Sequence, residues 1–251
     1  MIEVKNISKM YGSKSIIDNV SINIKPGKIT SFIGPNGAGK STVLGIITRI
    51  LSRDSGEVYI DGRELGQWKS DELSRVIAIL KQSNQLNVRL NVRDLVAFGR
   101  FPYSKGRLTQ EDNAKIDEVL AYMELESMQY KFLEELSGGQ KQRAYIAMVL
   151  AQDTDYIFLD EPLNNLDMKH SVQIMKILRK IVDELGKTVI LVIHDINFAA
   201  SYSDEIIALQ DGKVVIHDEV ENTIEETVLA GIYDMEFNIQ EVRGKKVCVY
   251  Y

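Results

Sequence analysis

Apolar positions along this chain follow two rhythms. Short β-branched runs open it: residues 2–7, 20–24, 29–33 and 57–60 each read as a strand, and Asp61-Gly62 marks a turn after the last. After Gln82 the rhythm changes, and from about Leu90 to Asp153 apolar residues recur at helical spacing. Thr109 is placed to cap a helix with Asp112 at its third position. Ile116, Val119, Leu120 and Met123 then fall on one face, and residues 137–152 form a second helical stretch. From Tyr156 the strands return. Residues 156–159 and 188–193 are short apolar runs of the kind buried in a parallel sheet. Between them, residues 168–185 read as an amphipathic helix carrying Val172, Met175, Ile177, Leu178, Ile181 and Val182. Residues 205–209 and 213–216 flank Asp211-Gly212, a hairpin signal, and a second hairpin is expected from 237–242 and 247–250 around Gly244.

Alternating strands and helices predict an α/β fold around a mostly parallel sheet, with the helical stretch inserted as a subdomain. A chain of 251 residues, 45% hydrophobic and 26% charged, is ordinary for a globular protein with a real core. Its net charge of −6 argues against a broad nucleic-acid-binding face. The lone cysteine, Cys248, cannot form an internal disulfide, which fits a reducing compartment. The N-terminus has no apolar stretch suited to a signal peptide, and no run approaches the roughly 18–20 apolar residues that span a bilayer. A soluble cytoplasmic protein is expected, with any membrane part supplied by a partner.

The strongest chemical signal is Gly34-Pro35-Asn36-Gly37-Ala38-Gly39-Lys40-Ser41-Thr42. It fits the pattern G-x-x-x-x-G-K-S/T and lies between a predicted strand and a helix predicted from Lys40 to about Leu51. Glycines let the backbone wrap an anion, and the loop N–H groups and helix N-terminus point at phosphate. Lys40 is expected to reach the β- and γ-phosphates, and the Ser41 hydroxyl to hold Mg²⁺.

Three further segments bear on that loop. The strand 156–159 ends in Asp160-Glu161, where an Asp can help hold Mg²⁺ and Glu161 can polarise an attacking water; the plainer reading is a solvated acidic turn. His194 ends the next apolar strand, and strand carboxyl ends are where ligand groups gather in open α/β sheets. Leu136-Ser137-Gly138-Gly139-Gln140 is a second glycine-rich helix start, with Ser137 as its cap. One nucleotide cannot easily use two phosphate-type helix starts about a hundred residues apart in the same subunit.

Taken together, Gly34–Thr42, Gln82, Leu136–Gln140, Asp160-Glu161, Asp167 and His194 closely resemble the ABC ATPases, in that family's order and spacing over nearly the whole chain. The resemblance implies a P-loop core with a mostly parallel sheet, an antiparallel β subdomain and an inserted helical subdomain. The division it suggests is residues 1–89 and 154–251 for the core and 90–153 for the helical insert. It further implies a head-to-tail homodimer, with ATP between the P-loop of one copy and Ser137–Gln140 of the other. Tyr11 would stack on adenine, and Gln82 would link Mg²⁺ and the water to the helical part. Glu161 would be the general base, His194 the γ-phosphate contact and Asp167 a cross-dimer contact. One segment departs from the usual pattern: Leu163-Asn164-Asn165 precedes Leu166-Asp167 where the family commonly has Thr and Ser-Ala. Phe98-Gly99-Arg100-Phe101-Pro102-Tyr103 and the following Thr109-Gln110-Glu111-Asp112 resemble the ATPase subunits of iron–siderophore, haem and cobalamin importers, and Asn164-Asn165-Leu166-Asp167 resembles a variant from the siderophore branch. That resemblance implies integral permease subunits as partners, a substrate-binding protein acting indirectly, and a place on the cytoplasmic face of the membrane. A soluble ABC ATPase of translation or DNA maintenance is the competing class; no second cassette or long heptad arm is visible for it.

Overall fold

The computed structural model describes residues 1–82 and 88–250. The first stretch carries β1 (Ile2–Tyr11), β2 (Lys14–Ile24), β3 (Ile29–Ile33), α1 (Lys40–Ile47), β4 (Ser55–Ile60) and β5 (Arg63–Glu64). The middle carries α2 (Ser70–Leu73), β6 (Ile77–Leu80), α3 (Val92–Phe98), α4 (Phe101–Ser104), α5 (Gln110–Tyr122), α6 (Gly138–Ala151), β7 (Tyr156–Asp160) and α7 (Met168–Leu185). The last stretch carries β8 (Thr188–Val192), α8 (Ile196–Tyr202), β9 (Glu205–Gln210), β10 (Lys213–Glu219), α9 (Val220–Thr223), α10 (Glu226–Tyr233), β11 (Asn238–Val242) and β12 (Lys245–Val249). Two compact units result: residues 1–68 with 188–251, and residues 69–187.

In the first unit, β1 pairs antiparallel with β2 on one side and β4 on the other, and β5 follows β4. Both β1 and β2 run past the predicted apolar runs to the Gly12-Ser13 turn, because pairing such as Tyr11 with Lys14 continues the backbone ladder through polar residues. A second set of strands has β3 parallel to both β8 and β9, with β10 closing antiparallel on β9. Every residue of β3 and β8 is buried, the polar Thr30, Ser31 and Thr188 included, as strands covered on both faces require. The helix predicted to reach Leu51 stops at Ile47. There the Thr48 hydroxyl donates to Leu44 O at 2.9 Å, Arg49 turns left-handed at φ 59°, and the Ile50 and Leu51 amides both close on Gly45 O at 2.9 Å. Both predicted hairpins form, and each takes positive φ at its two central residues: 48° and 77° at Asp211-Gly212, 53° and 74° at Arg243-Gly244.

In the second unit, β6 runs parallel to β7 in register from Ile77 opposite Tyr156 to Leu80 opposite Leu159. β6 is not among the strands expected from the sequence. The α5 start matches its expected cap: Thr109 Oγ1 accepts from the Asp112 amide and Asp112 Oδ2 accepts from the Thr109 amide. Leu95, Val96, Ile116, Val119, Leu120, Ala144 and Ala147 make the core between α3, α5 and α6. Helix α7 has the expected bounds, but its buried stripe is Ser171, Ile174, Met175, Leu178, Ile181 and Val182. Val172 and Ile177 sit half-buried beside that stripe, because a 3.6-residue period places Ile174 at its centre. No described helix is long and apolar enough to cross a membrane.

Candidate nucleotide site

The phosphate-type loop follows β3 and leads into α1 in the first unit. Gly34 and Gly39 hold φ of 132° and 101°, where L side chains are strained. Space forbids side chains there too: a Cβ on Gly34 would lie 2.0 Å from Leu209 O, and one on Gly39 2.5 Å from Ile17 Cδ1. Asn36 and Gly37 are exposed at the tip of the loop, while Gly34, Ala38 and Gly39 are buried and Pro35 is half-buried. The Lys40 amine is drawn back under the loop, 5% exposed, and donates to Gly34 O at 2.8 Å and Pro35 O at 2.9 Å. A lysine beneath a glycine-rich loop that leads into a helix fits a polyanionic ligand. Ser41 is exposed and Thr42 half-buried in the first turn of α1.

His194 lies at the same edge of these strands. The Ile193 amide donates to Phe32 O at 3.2 Å, so the parallel strands β3 and β8 end together, one in the loop and the other in exposed His194. Asp195 then caps α8, accepting from the Asn197 and Phe198 amides. Tyr11 ends β1 with 54% of its surface open, and Lys9 Nζ lies 5.5 Å from its ring centroid. An exposed ring can offer a face for stacking.

The carboxylate segment belongs to the second unit. Because β6 and β7 are parallel and in register, Gln82 and Asp160-Glu161 emerge from the same edge. Gln82 Nε2 donates to Glu161 Oε2 at 2.5 Å, and Asn164 Nδ2 donates to the same oxygen. Glu161 holds a left-handed φ of 52°, and Asn165 one of 61°. Non-glycine residues take that conformation at a cost, and it persists only where surroundings over-determine it.

The second glycine-rich start is also built as expected. Ser137 caps α6 reciprocally with Gln140: Ser137 Oγ accepts from the Gln140 amide at 3.3 Å, and Gln140 Oε1 accepts from the Ser137 amide at 3.0 Å. The two glycines differ. Gly138 is exposed, whereas Gly139 is buried, and a Cβ there would lie 2.1 Å from the His170 ring. Gly139 is therefore required by packing of α7 on α6. His170 in turn is tied to Asp167, whose Oδ1 accepts from the His170 amide and meets His170 Nδ1, each at 2.8 Å. The backbone hydrogen bond from His170 holds the Asp167 carboxyl below its ordinary range.

Sequence reasoning missed two of these side chains. Asn164 was visible as a departure from the usual segment, three residues after Glu161, and its amide is a plain donor for that carboxylate. His170 carried no signal, since its contact with Gly139 spans thirty-one positions and depends on how two helices pack.

A family model described as ABC transporter matches residues 17–164. The chain is 60% identical over 251 residues to the petrobactin import ATP-binding protein YclP of Bacillus subtilis (strain 168), covering 100% of both chains. It is 46% identical over 250 residues to the petrobactin import ATP-binding protein FatE of Bacillus anthracis, again over 100% of each. Among solved structures it is similar to a dimeric ATP-binding cassette in a post-hydrolysis state bound to ADP and Pi. The identity there is 35% and the TM-score 0.76, with 88% of this chain and 99% of that chain covered. With its phosphate loop, its paired strand-end carboxylates and its capped second glycine-rich helix start, this chain belongs to the ABC transporter family and has the P-loop fold of that family's ATP-binding cassettes.

Proposed function

We propose that this chain is the ATP-hydrolysing subunit of an importer that takes up a ferric siderophore through a separate membrane permease. The observation that carries this reading is 60% identity over the full length of a petrobactin import ATP-binding protein, combined with retention of each ATPase side chain.

The chemistry follows residue by residue. In the loop that Gly34 and Pro35 open, backbone N–H groups of Asn36, Gly37, Ala38 and Gly39, with Thr42 behind them, cradle the phosphates of ATP. Lys40 swings from its carbonyl partners onto the β- and γ-phosphates. The hydroxyl of Ser41, the amide of Gln82 and the carboxylate of Asp160 are hard oxygen donors of the kind that suit Mg²⁺. When bound, Mg²⁺ neutralises charge developing on the phosphates. Glu161, oriented by Gln82 and Asn164, accepts a proton from water as the water oxygen bonds to the γ-phosphorus. The bond from that phosphorus to the bridging oxygen breaks, and ADP and phosphate leave. His194 donates to the γ-phosphate, and Tyr11 stacks on adenine. Ser137, Gly138, Gly139, Gln140 and Asp167 serve the nucleotide of a second copy in a head-to-tail homodimer.

Work done by hydrolysis is passed to permease subunits at the cytoplasmic face of the membrane, with a substrate-binding protein acting upstream and no nucleic acid involved. Phe98 and Phe101 are consistent with this, being 53% and 60% exposed on neighbouring short helices where a partner would cover them. Deleting the gene and measuring uptake of radioactive iron, offered on different siderophores, tests the cargo. Uptake of at least one ferric siderophore should disappear. Unchanged uptake of every ferric chelate, with haem or cobalamin uptake lost instead, would reassign the cargo and keep the machine.

A further inference from the structure

We propose that Tyr233 is a positioning residue for ATP binding: its hydroxyl holds the first glycine of the phosphate loop from behind. Tyr233 is the last residue of α10, 199 positions downstream of Gly34, and α10 packs on β9. The Gly34 amide donates to Tyr233 Oη at 3.0 Å. Gly34 is buried, so without this hydroxyl its N–H would have no partner within reach of solvent. Its carbonyl, on the other side, accepts from Lys40 Nζ at 2.8 Å. Both peptide groups of the residue with the loop's largest φ, 132°, are thereby held, one by Lys40 and one by the C-terminal segment.

The phenol is itself well anchored. Its ring lies 5.8 Å from Phe237, centroid to centroid, and Phe237 lies 5.4 Å from Tyr250. Burial pushes the Tyr233 hydroxyl up to about 12, so it stays neutral and keeps its lone pairs for the amide. The hairpin of β11 and β12 that carries Tyr250 just beyond its end is fastened to α8. Asn197 Nδ2 donates to Cys248 O at 3.1 Å, and Asn197 Oδ1 accepts from the Cys248 amide at 2.7 Å. Helix α8 begins two residues after His194. One C-terminal segment thus braces the loop that takes the phosphates and the helix that follows the histidine.

The loop must bend around phosphates while Lys40 leaves Gly34 O. A hydroxyl that keeps Gly34 in place at that moment lowers what the ligand must spend on ordering the loop. This rests on ATP as the ligand of the loop, which wild-type binding checks first: a wild-type protein that bound no ATP would remove that reading itself. The test is Tyr233→Phe in the full chain, which keeps the ring and removes only the acceptor. Equilibrium Kd for ATP with Mg²⁺ and steady-state KM should rise together by roughly three- to tenfold, while kcat stays within about twofold. Tyr233→Leu, which also removes the ring, should lower the melting temperature further without weakening ATP binding much beyond the Phe variant. If Tyr233→Phe binds ATP with the wild-type Kd, or loses kcat with Kd unchanged, the hydroxyl does not position the loop and the proposal falls.

Discussion

At the scale of single residues, Glu161 concentrates the unusual features. It is a carboxylate at a strand end, its φ of 52° is one that glutamate rarely adopts, and one oxygen takes both the Gln82 and Asn164 amides. Glu161→Gln keeps a carbonyl oxygen for those two donors, so the local geometry should persist while the proton acceptor is lost. Hydrolysis should fall by roughly 10²–10⁴-fold with ATP affinity retained, and size-exclusion chromatography with ATP and Mg²⁺ should then reveal an accumulated dimer. A variant that turns over at the wild-type rate would take Glu161 out of the role. Cys248, by contrast, is buried, and burial pushes its thiol up to about 11, which disfavours the reactive thiolate.

At the scale of elements, the start of α5 joins three parts of the helical unit. Asp112 accepts from Thr109 as a capping partner and from Arg100 Nε at 2.9 Å, and Arg100 also donates to Ala151 O at the end of α6. Arg100 and Asp112 are only 5% and 3% exposed. The two capping residues should therefore differ sharply in cost. Thr109→Ala removes a cap and should destabilise by about 1 kcal/mol. Asp112→Ala leaves a buried guanidinium without its carboxylate and should cost about 3–5 kcal/mol. Chemical denaturation followed by circular dichroism distinguishes them, and equal shifts would mean that the ion pair adds nothing beyond the cap. The same segment also refines the importer-type stretch Phe98 to Tyr103: Arg100 is an internal tie, and the neighbouring phenylalanines are what it leaves at the surface.

At the scale of the whole molecule, the testable arrangement is the proposed head-to-tail pair. Gly138 is the better signature position to change, because a side chain there meets nothing closer than 3.7 Å, whereas one on Gly139 would strike His170. Lys40→Ala and Gly138→Asp chains should each be inactive alone. Mixed, they form some pairs with one intact and one doubly altered site, and ATP-dependent dimerisation or turnover should partly recover. Full catalytic activity in a stable monomer would rule the arrangement out.

The strands β1 to β4 and β7 to β12, the helices α1, α5, α6 and α7, the phosphate loop, the Thr109 and Ser137 caps and both type I′ hairpins were legible along the chain. Each depends on residues within a few positions of one another: β-branched runs, glycine at positive φ, a hydroxyl three residues before its amide. Tertiary structure decided what depends on distant partners. It put Ile174 rather than Val172 or Ile177 at the centre of the α7 stripe, because packing selects which face of an amphipathic helix is covered. It revealed β6, whose four residues become a strand through pairing with β7, seventy-nine positions on. It gave Gly139 a steric reason in His170, and it brought the Tyr233 hydroxyl to Gly34. A side chain's partner in space leaves no period or spacing in the sequence, so these contacts had to wait for the fold.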